Sequence, residues 1–357
     1  MKKLLLAAAV TTLSLNAAQA APTLYGKLNV SIDNIDNTDF AGNDATELNS
    51  NSSRIGIKGE ESLTDKISAI YLAEWQVNAD GDGTDLGMRN RYLGIKAAGV
   101  GTLKAGQFDS YFKTSAGKYQ DIFNDHNYLD ITKTMHGEER LKNAIGFESD
   151  PKLLGGFSFN AMALFGENGE TGYTTEKRDG IGDGISTSLN YDNKNIGLAL
   201  AVAGNFAVPG DYNALSLSNV ESDAYRVTGS YDFSKIGLNG FVLGGLWQHA
   251  ELSDSPSAAQ LEADGLNKYA ASAEEESWVV ATTYAIPNTK VALKAQYQSA
   301  VTTADAMEDR TIDQYGIGLD YNINKQTRVY GVVAQQKRDW KEDDKRTVIG
   351  AGMEFNF

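Results

Sequence analysis

Segment after segment of this chain alternates apolar and polar residues one by one, a two-residue period that only a strand with one apolar face produces. In ISAIYLAEWQV, Ile67, Ala69, Tyr71, Ala73, Trp75 and Val77 share one face, and Ser68, Glu74 and Gln76 lie on the other. QYGIGLDY sets Tyr315, Ile317, Leu319 and Tyr321 against Gln314, Gly316, Gly318 and Asp320. YRVTGSYDF and VALKAQYQ repeat the pattern, and so does the end of the chain, where Ile349, Ala351, Met353, Phe355 and Phe357 share one parity. A terminal strand of this kind invites aggregation unless a partner strand covers it or a closed barrel removes the edge.

No convincing amphipathic helix interrupts these segments, so the chain reads as all-β. Two architectures remain: a soluble sandwich or solenoid, whose apolar face is a packed core, and a transmembrane antiparallel β-barrel, whose apolar face meets lipid. Connection lengths favour the barrel. Short breaks at 97–101, 192–197 and 286–290 alternate with long polar ones at 35–50, 79–88, 111–138, 167–184, 206–221 and 250–274, as short turns on one rim and long loops on the other require. Aromatics on the apolar parity, such as Phe157, Tyr231, Trp247, Trp278 and Tyr321, cluster toward segment ends, the placement of interfacial girdles. About 16 strands are expected; 14 or 18 fit the same spacing, and eight do not.

Lys2 and Lys3, the run Leu4 to Leu15 and the A-x-A site Ala18 to Ala20 read as a cleaved signal peptide over residues 1–20, leaving 21–357 as one barrel unit. Without Lys2 and Lys3 the charge is 30 − 47 = −17, from 32 basic and 47 acidic residues in the whole chain, which argues against nucleic acid as a partner. There are no cysteines, so disulfides do not hold the exported chain together.

TLYGKLNVSID after the signal, NSSRIGIKGEESL (51–63), RNRYLGIKAAGVGTLKAGQFD (89–109) and the closing GAGMEFNF resemble the general diffusion porins of Gram-negative bacteria, most closely the neisserial-type branch. The resemblance implies a channel in the cell outer membrane for passive diffusion of ions and small hydrophilic solutes, working as a homotrimer among outer-membrane lipid and lipopolysaccharide. It further implies that Met353, Phe355 and Phe357 form a signal for the barrel assembly machinery, and that 111–138 folds inward as a constriction loop. Its carboxylates Asp121, Asp125 and Asp130, with Asp109 and Glu138 at the edges, would face a basic wall. On that wall Arg54 and Arg89 match the family's eyelet arginines, and Arg140 is placed like a third. Lys58 shares the lumen parity of Arg54, Lys142 shares that of Arg140, and Lys104 alternates with Leu103 and Ala105. Arg89 and Arg91 share the parity of Leu93 and Ile95, so a bulge or a loop-end position is needed to turn them inward. Carboxylates facing guanidiniums across an aqueous slot set up a transverse field that favours polar solutes.

Alternative functions are a porin dedicated to a sugar or organic acid, for which Tyr111, Phe112 and Tyr119 are the only hint, and a plugged structural or adhesive barrel. Lumen-parity glycines (Gly316, Gly318, Gly350, Gly352) argue for open space. No enzyme is expected, since no nucleophilic or metal-protease motif occurs. No cofactor or metal is expected either. Asp80, Asp82 and Asp85 begin like a calcium loop, but Asp85 stands where glycine is needed and Arg91 where a bidentate glutamate is. His126, His136 and His249 lack ligand spacing.

Overall fold

The computed structural model describes residues 21–83, 86–117, 119–123, 126–167, 179–253, 261–262, 271–305 and 307–357. The proposed signal peptide, Asp85 and Asp125 lie outside the described residues. Seventeen strand segments form one antiparallel sheet: β1 Thr23–Asp36, β2 Ala45–Ser50, β3 Arg54–Ser62, β4 Ile67–Gln76, β5 Gly87–Ala97, β6 Gly101–Asp109, β7 Arg140–Ser149, β8 Phe157–Phe165, β9 Ile181–Asn193, β10 Leu198–Tyr212, β11 Leu217–Asp232, β12 Phe241–Leu252, β13 Glu274–Ala285, β14 Val291–Thr303, β15 Arg310–Asn322, β16 Thr327–Arg338 and β17 Lys345–Asn356.

Consecutive segments pair all the way round, and β17 returns to β1 with Lys27 opposite Asn356 and Asp36 opposite Thr347. β2 and β3 are one barrel stave: both pair with β1, and the stave breaks only at 51–53, where Ser52 takes a positive φ of 50°. The result is a closed barrel of 16 staves, as the segment spacing predicts. Closure gives every stave two hydrogen-bonded neighbours, the condition a sheet must meet in hydrocarbon. The last residue completes the seam, with Gly26 N–H donating to Phe357 O and Phe357 N–H to Gly26 O. Glycine is favoured there, because a Cβ on Gly26 would stand 2.8 Å from the backbone oxygen of Arg54.

The apolar parity faces outward. Leu28, Ile32, Leu93, Phe157, Trp247, Trp278, Tyr315 and Phe355 are exposed, while the alternate positions Asn29, Ser31, Asp33, Gln298 and Gln314 are buried inside the barrel. Among the described residues no helix is long and apolar enough to cross a membrane; the strands do so instead.

Two expected loops prove shorter. The stretch 206–221 is mostly strand, with β10 running to Tyr212 and β11 starting at Leu217. A bulge between Asn205 and Val208, with Ala207 at φ 51°, absorbs the polar, proline-containing sequence that reads as loop. The stretch 35–50 ends in β2, which extends the first hairpin through Ala45 opposite Ile35.

Candidate functional site

The described residues of 111–138 lie inside the barrel. The segment starts with a single helical turn, Tyr111–Thr114, capped by Ser110, whose side chain accepts from Lys113 N. A second short turn, Ile131–Lys133, is capped in the same way by Asp130. Between and after them Ala116, Ile122, Phe123, Leu129, Ile131 and Met135 pack against Leu246, Val279, Ala281, Tyr330, Val332 and Ala334 on the inner face of β12, β13 and β16.

Backbone groups of the loop find amide partners on the same wall. Ile122 N–H donates to Gln296 Oε1 at 2.9 Å, and Gln314 Nε2 donates to Leu129 O at 3.0 Å. The glycines expected to leave open space serve as seats instead. A Cβ on Gly316 would stand 2.9 Å from Leu129, one on Gly318 2.8 Å from Phe123, one on Gly350 2.0 Å from Asp33, and one on Gly352 2.4 Å from Tyr330.

The two ends of the loop are fastened by Arg226 of β11, which is almost fully buried. It pairs with Glu138 at 2.5 Å, donates to Phe112 O at 3.0 Å and to Gln248 Oε1, and lies 4.2 Å over the Phe112 ring. Arg226 is a residue sequence reasoning missed. Its only signal is a charge on the lumen parity of YRVTGSYDF. Nearby, Glu139 Oε1 accepts from Asp211 N at 3.2 Å and its Oε2 is buried without a hydrogen-bond partner. Burial, reinforced by Asp211 and Glu138, pushes this carboxyl up to about 8. His136 is buried beside the Tyr212 ring, and burial holds its imidazole down to about 4.

The opposite wall is charged. The pairing of β4 with β5 slips between Ala73 and Trp75, so that two residues of β5 oppose Glu74. This bulge turns Arg89 inward, where its Nε meets Glu74 Oε1 at 2.6 Å. Arg91 stays on the outer parity, opposite Ala73 and Gln107. Glu74, which the sequence reading did not single out, is the hub. Arg54 Nε lies 3.8 Å from its Oε2, and the Tyr25 hydroxyl donates to the same oxygen at 2.9 Å. Lys58 Nζ lies 4.8 Å over the Tyr25 ring.

A second group forms where β6 ends and β7 begins. Arg140 Nη2 is 3.2 Å from Asp109, Lys113 Nζ is 3.5 Å from the same carboxylate, and Asn90 bridges by donating to Asp109 and accepting from Arg140. Lys104 pairs with Glu148 and lies over the rings of Tyr92, Phe108 and Tyr111. Lys142 leaves the lumen parity, because a second bulge, with Asn143 at φ 53°, places Leu141 rather than Lys142 in the interior cluster.

The expected acidic loop is therefore rearranged. Glu138 is an anchor for Arg226, Asp130 caps its own turn, Asp121 is buried, and Asp109 belongs to the arginine wall. Asp80, in the β4–β5 connection, accepts from Ser50 N at the end of β2 at 2.7 Å, while His126 lies 3.6 Å from Asp33 and His249 3.6 Å from Glu276. Met353, Phe355 and Phe357 stand exposed on the outer face of the closing strand.

A closed barrel with an apolar exterior, a polar interior and a loop folded across its lumen defines a membrane-spanning channel. The chain belongs to the Gram-negative porin family, whose model matches residues 5–341. It is 24% identical to the major outer membrane protein P.IB of Neisseria meningitidis serogroup A over 365 residues, all of both chains, and 24% identical to the protein of that name from Neisseria gonorrhoeae over 92% and 91% of the two. Its fold is similar to that of the anion-selective porin from Comamonas acidovorans, with a TM-score of 0.69 and 18% identity over 94% of this chain and 99% of that one. The trimer form of OmpT from Vibrio cholerae gives a TM-score of 0.64 at 16% identity, over 94% and 99%. The protein is an outer-membrane channel for passive diffusion of small solutes and not an enzyme.

Proposed function

We propose that solutes cross through the part of the lumen the inward loop leaves open, along the wall bearing Arg54, Lys58, Arg89 and Arg140, with Glu74 and Asp109 as counter-charges. The observation that carries this reading is the one-sided packing of the loop. Its apolar residues lie against β12, β13 and β16, whereas the charged wall of β3 to β7 keeps its side chains partly exposed inside the barrel. Charges of both signs at short range there orient water and favour polar over apolar solutes. Removal of residues 1–20, insertion by the barrel assembly machinery through Met353, Phe355 and Phe357, and seating in lipid and lipopolysaccharide complete the reading.

The working unit in this proposal is a homotrimer. Outward aromatics such as Phe157, Phe159, Trp247, Trp278, Tyr284, Tyr297, Tyr315 and Tyr321 belong to β8 to β15. Apart from Tyr71 and Trp75, the outer face of β1 to β5 carries aliphatic residues such as Leu24, Leu28, Ile32, Ile57, Leu93 and Ile95. A face without a girdle suits protein better than a lipid interface. Arg91 lies on that outer face too, and a cation suits a protein contact better than hydrocarbon.

Planar-bilayer recording with purified protein tests both parts. Conductance steps in threes are expected, and folded, inserted protein that passes no current would overturn the channel path.

A further inference from the structure

Arginines inside the barrel fall into two populations. Arg54, Arg89, Arg140, Arg226 and Arg328 each lie within 3.8 Å of a carboxylate. Arg338 and Arg346, on the lumen parity at the long-loop rim of β16 and β17, have no carboxylate at that range among the described residues. Both guanidiniums lie over one ring, that of buried Phe40, at 4.8 and 4.9 Å. Both also donate at 3.1 Å to the same atom, Gln336 Oε1, Arg338 through Nε and Arg346 through Nη2. Tyr128 of the inward loop flanks Arg346 at 5.0 Å, and Trp340 flanks Arg338 at 5.9 Å.

Two cations sharing one neutral acceptor repel each other, and ring faces return only about 0.5–2 kcal/mol each. Arg346 also donates to Thr38 O at 3.2 Å and has Glu47 beyond the Tyr128 hydroxyl that donates to it at 2.7 Å, whereas Arg338 has no such counter-charge, and an anion would supply it. The terminal nitrogens of Arg338 donate to no protein atom among the described residues, and none is sealed from solvent. A fork of free guanidinium N–H groups matches the two oxygens of a carboxylate, and a ring beside each guanidinium offers a surface for an apolar body.

We propose that Arg338 and Arg346 form a capture site for a small aromatic carboxylate at the outer entrance of the channel. The inference rests on the diffusion-channel reading, because the site stands on the lumen wall and acts by raising the local concentration of its ligand where solutes enter. Phe40, Tyr128 and Trp340 hold the guanidiniums in place, so the site is formed before the ligand arrives.

Single-channel recording in potassium chloride with benzoate added to one side at a time tests it. Saturable blockade from the long-loop side is expected at concentrations where acetate has little effect. The Arg338→Gln/Arg346→Gln variant is expected to weaken benzoate at least fivefold with potassium chloride conductance retained. Arg338→Lys, which keeps the charge and loses the fork, should fall between the two. Equal blockade of wild type and the glutamine variant, or full retention by Arg338→Lys, would overturn the site. Inorganic phosphate blocking more strongly than benzoate would overturn the ligand class. Normal potassium chloride channels with no response to benzoate sink the capture site alone, whereas inserted protein with no channels at all sinks the reading beneath it.

Discussion

The two inner walls of the barrel solve opposite problems. On β12 to β16 the wall presents glycines, small apolar residues and the amides of Gln248, Gln296, Gln298 and Gln314, and the loop lies against it. On β3 to β7 it presents Arg54, Glu74, Arg89, Lys104, Asp109, Arg140 and Glu148, and only the loop's first turn reaches it, through Tyr111 and Lys113. An amide can satisfy a buried backbone group without bringing charge into a dry contact, whereas an ionised group loses several kcal/mol if it leaves water unpaired. The difference teaches that the loop's position follows from which wall can be dehydrated. The charges left on the other wall are then free to act on solutes.

The strongest challenge to that division comes from a charge buried in the dry half. Arg226→Ala leaves Glu138 buried and unpaired and should cost about 3–5 kcal/mol. A large fall in the urea midpoint of the detergent-solubilised protein is expected, together with noisier single-channel current as the loop ends loosen. An unchanged midpoint and quiet current would mean that the amide wall alone fixes the loop. Phe123→Ala tests the apolar contact instead, removing a ring seated on Gly316 and Gly318, with an expected loss of about 3 kcal/mol. Its conductance should rise, because the seat is emptied without touching the charged wall.

Glu139 gives a smaller effect of known sign. Its folded pKa is raised from 4.5 to about 8, so the folded state keeps a proton that the unfolded chain releases above pH 4.5. Stability therefore falls as pH rises toward 8 and levels off above it. Between pH 6.5 and 8 the loss is at most about 2 kcal/mol. Urea midpoints should decline over that window in wild type and clearly less in Glu139→Gln. An equal slope in the variant would assign the effect elsewhere.

The barrel was legible in the sequence because parity is local. A strand facing lipid on one side must alternate, so Trp75, Trp247 and Phe355 announce their face without knowledge of their neighbours. Bulges are legible only as contradictions. Arg89 on the wrong parity signalled the slip that brings it to Glu74, and Lys142 gave no such warning because its parity looked correct. Glu138 and Arg226, 88 residues apart in sequence, could not be matched, since nothing in either segment encodes where the loop ends meet β11. The lumen glycines misled for a related reason. A missing side chain shows that space is needed without showing what fills it.

The smallest expected effect separates the walls most directly. Glu74 lies on the charged wall and touches no residue of the inward loop among its recorded partners, Tyr25, Arg54 and Arg89. Glu74→Gln removes one negative charge beside two guanidiniums at nearly constant shape. One unit charge acting across about 7 Å of water is worth about 0.6 kcal/mol, close to RT, so chloride permeability should rise and potassium permeability fall by about two- to threefold each. Arg89→Gln should move the ratio the other way by a similar factor. Neither should alter how the loop sits, because neither residue touches it among the described residues. Reversal potentials under a potassium chloride gradient decide the matter: opposite shifts in the two variants place the selective field on the charged wall. Unchanged potentials in both would return it to the loop.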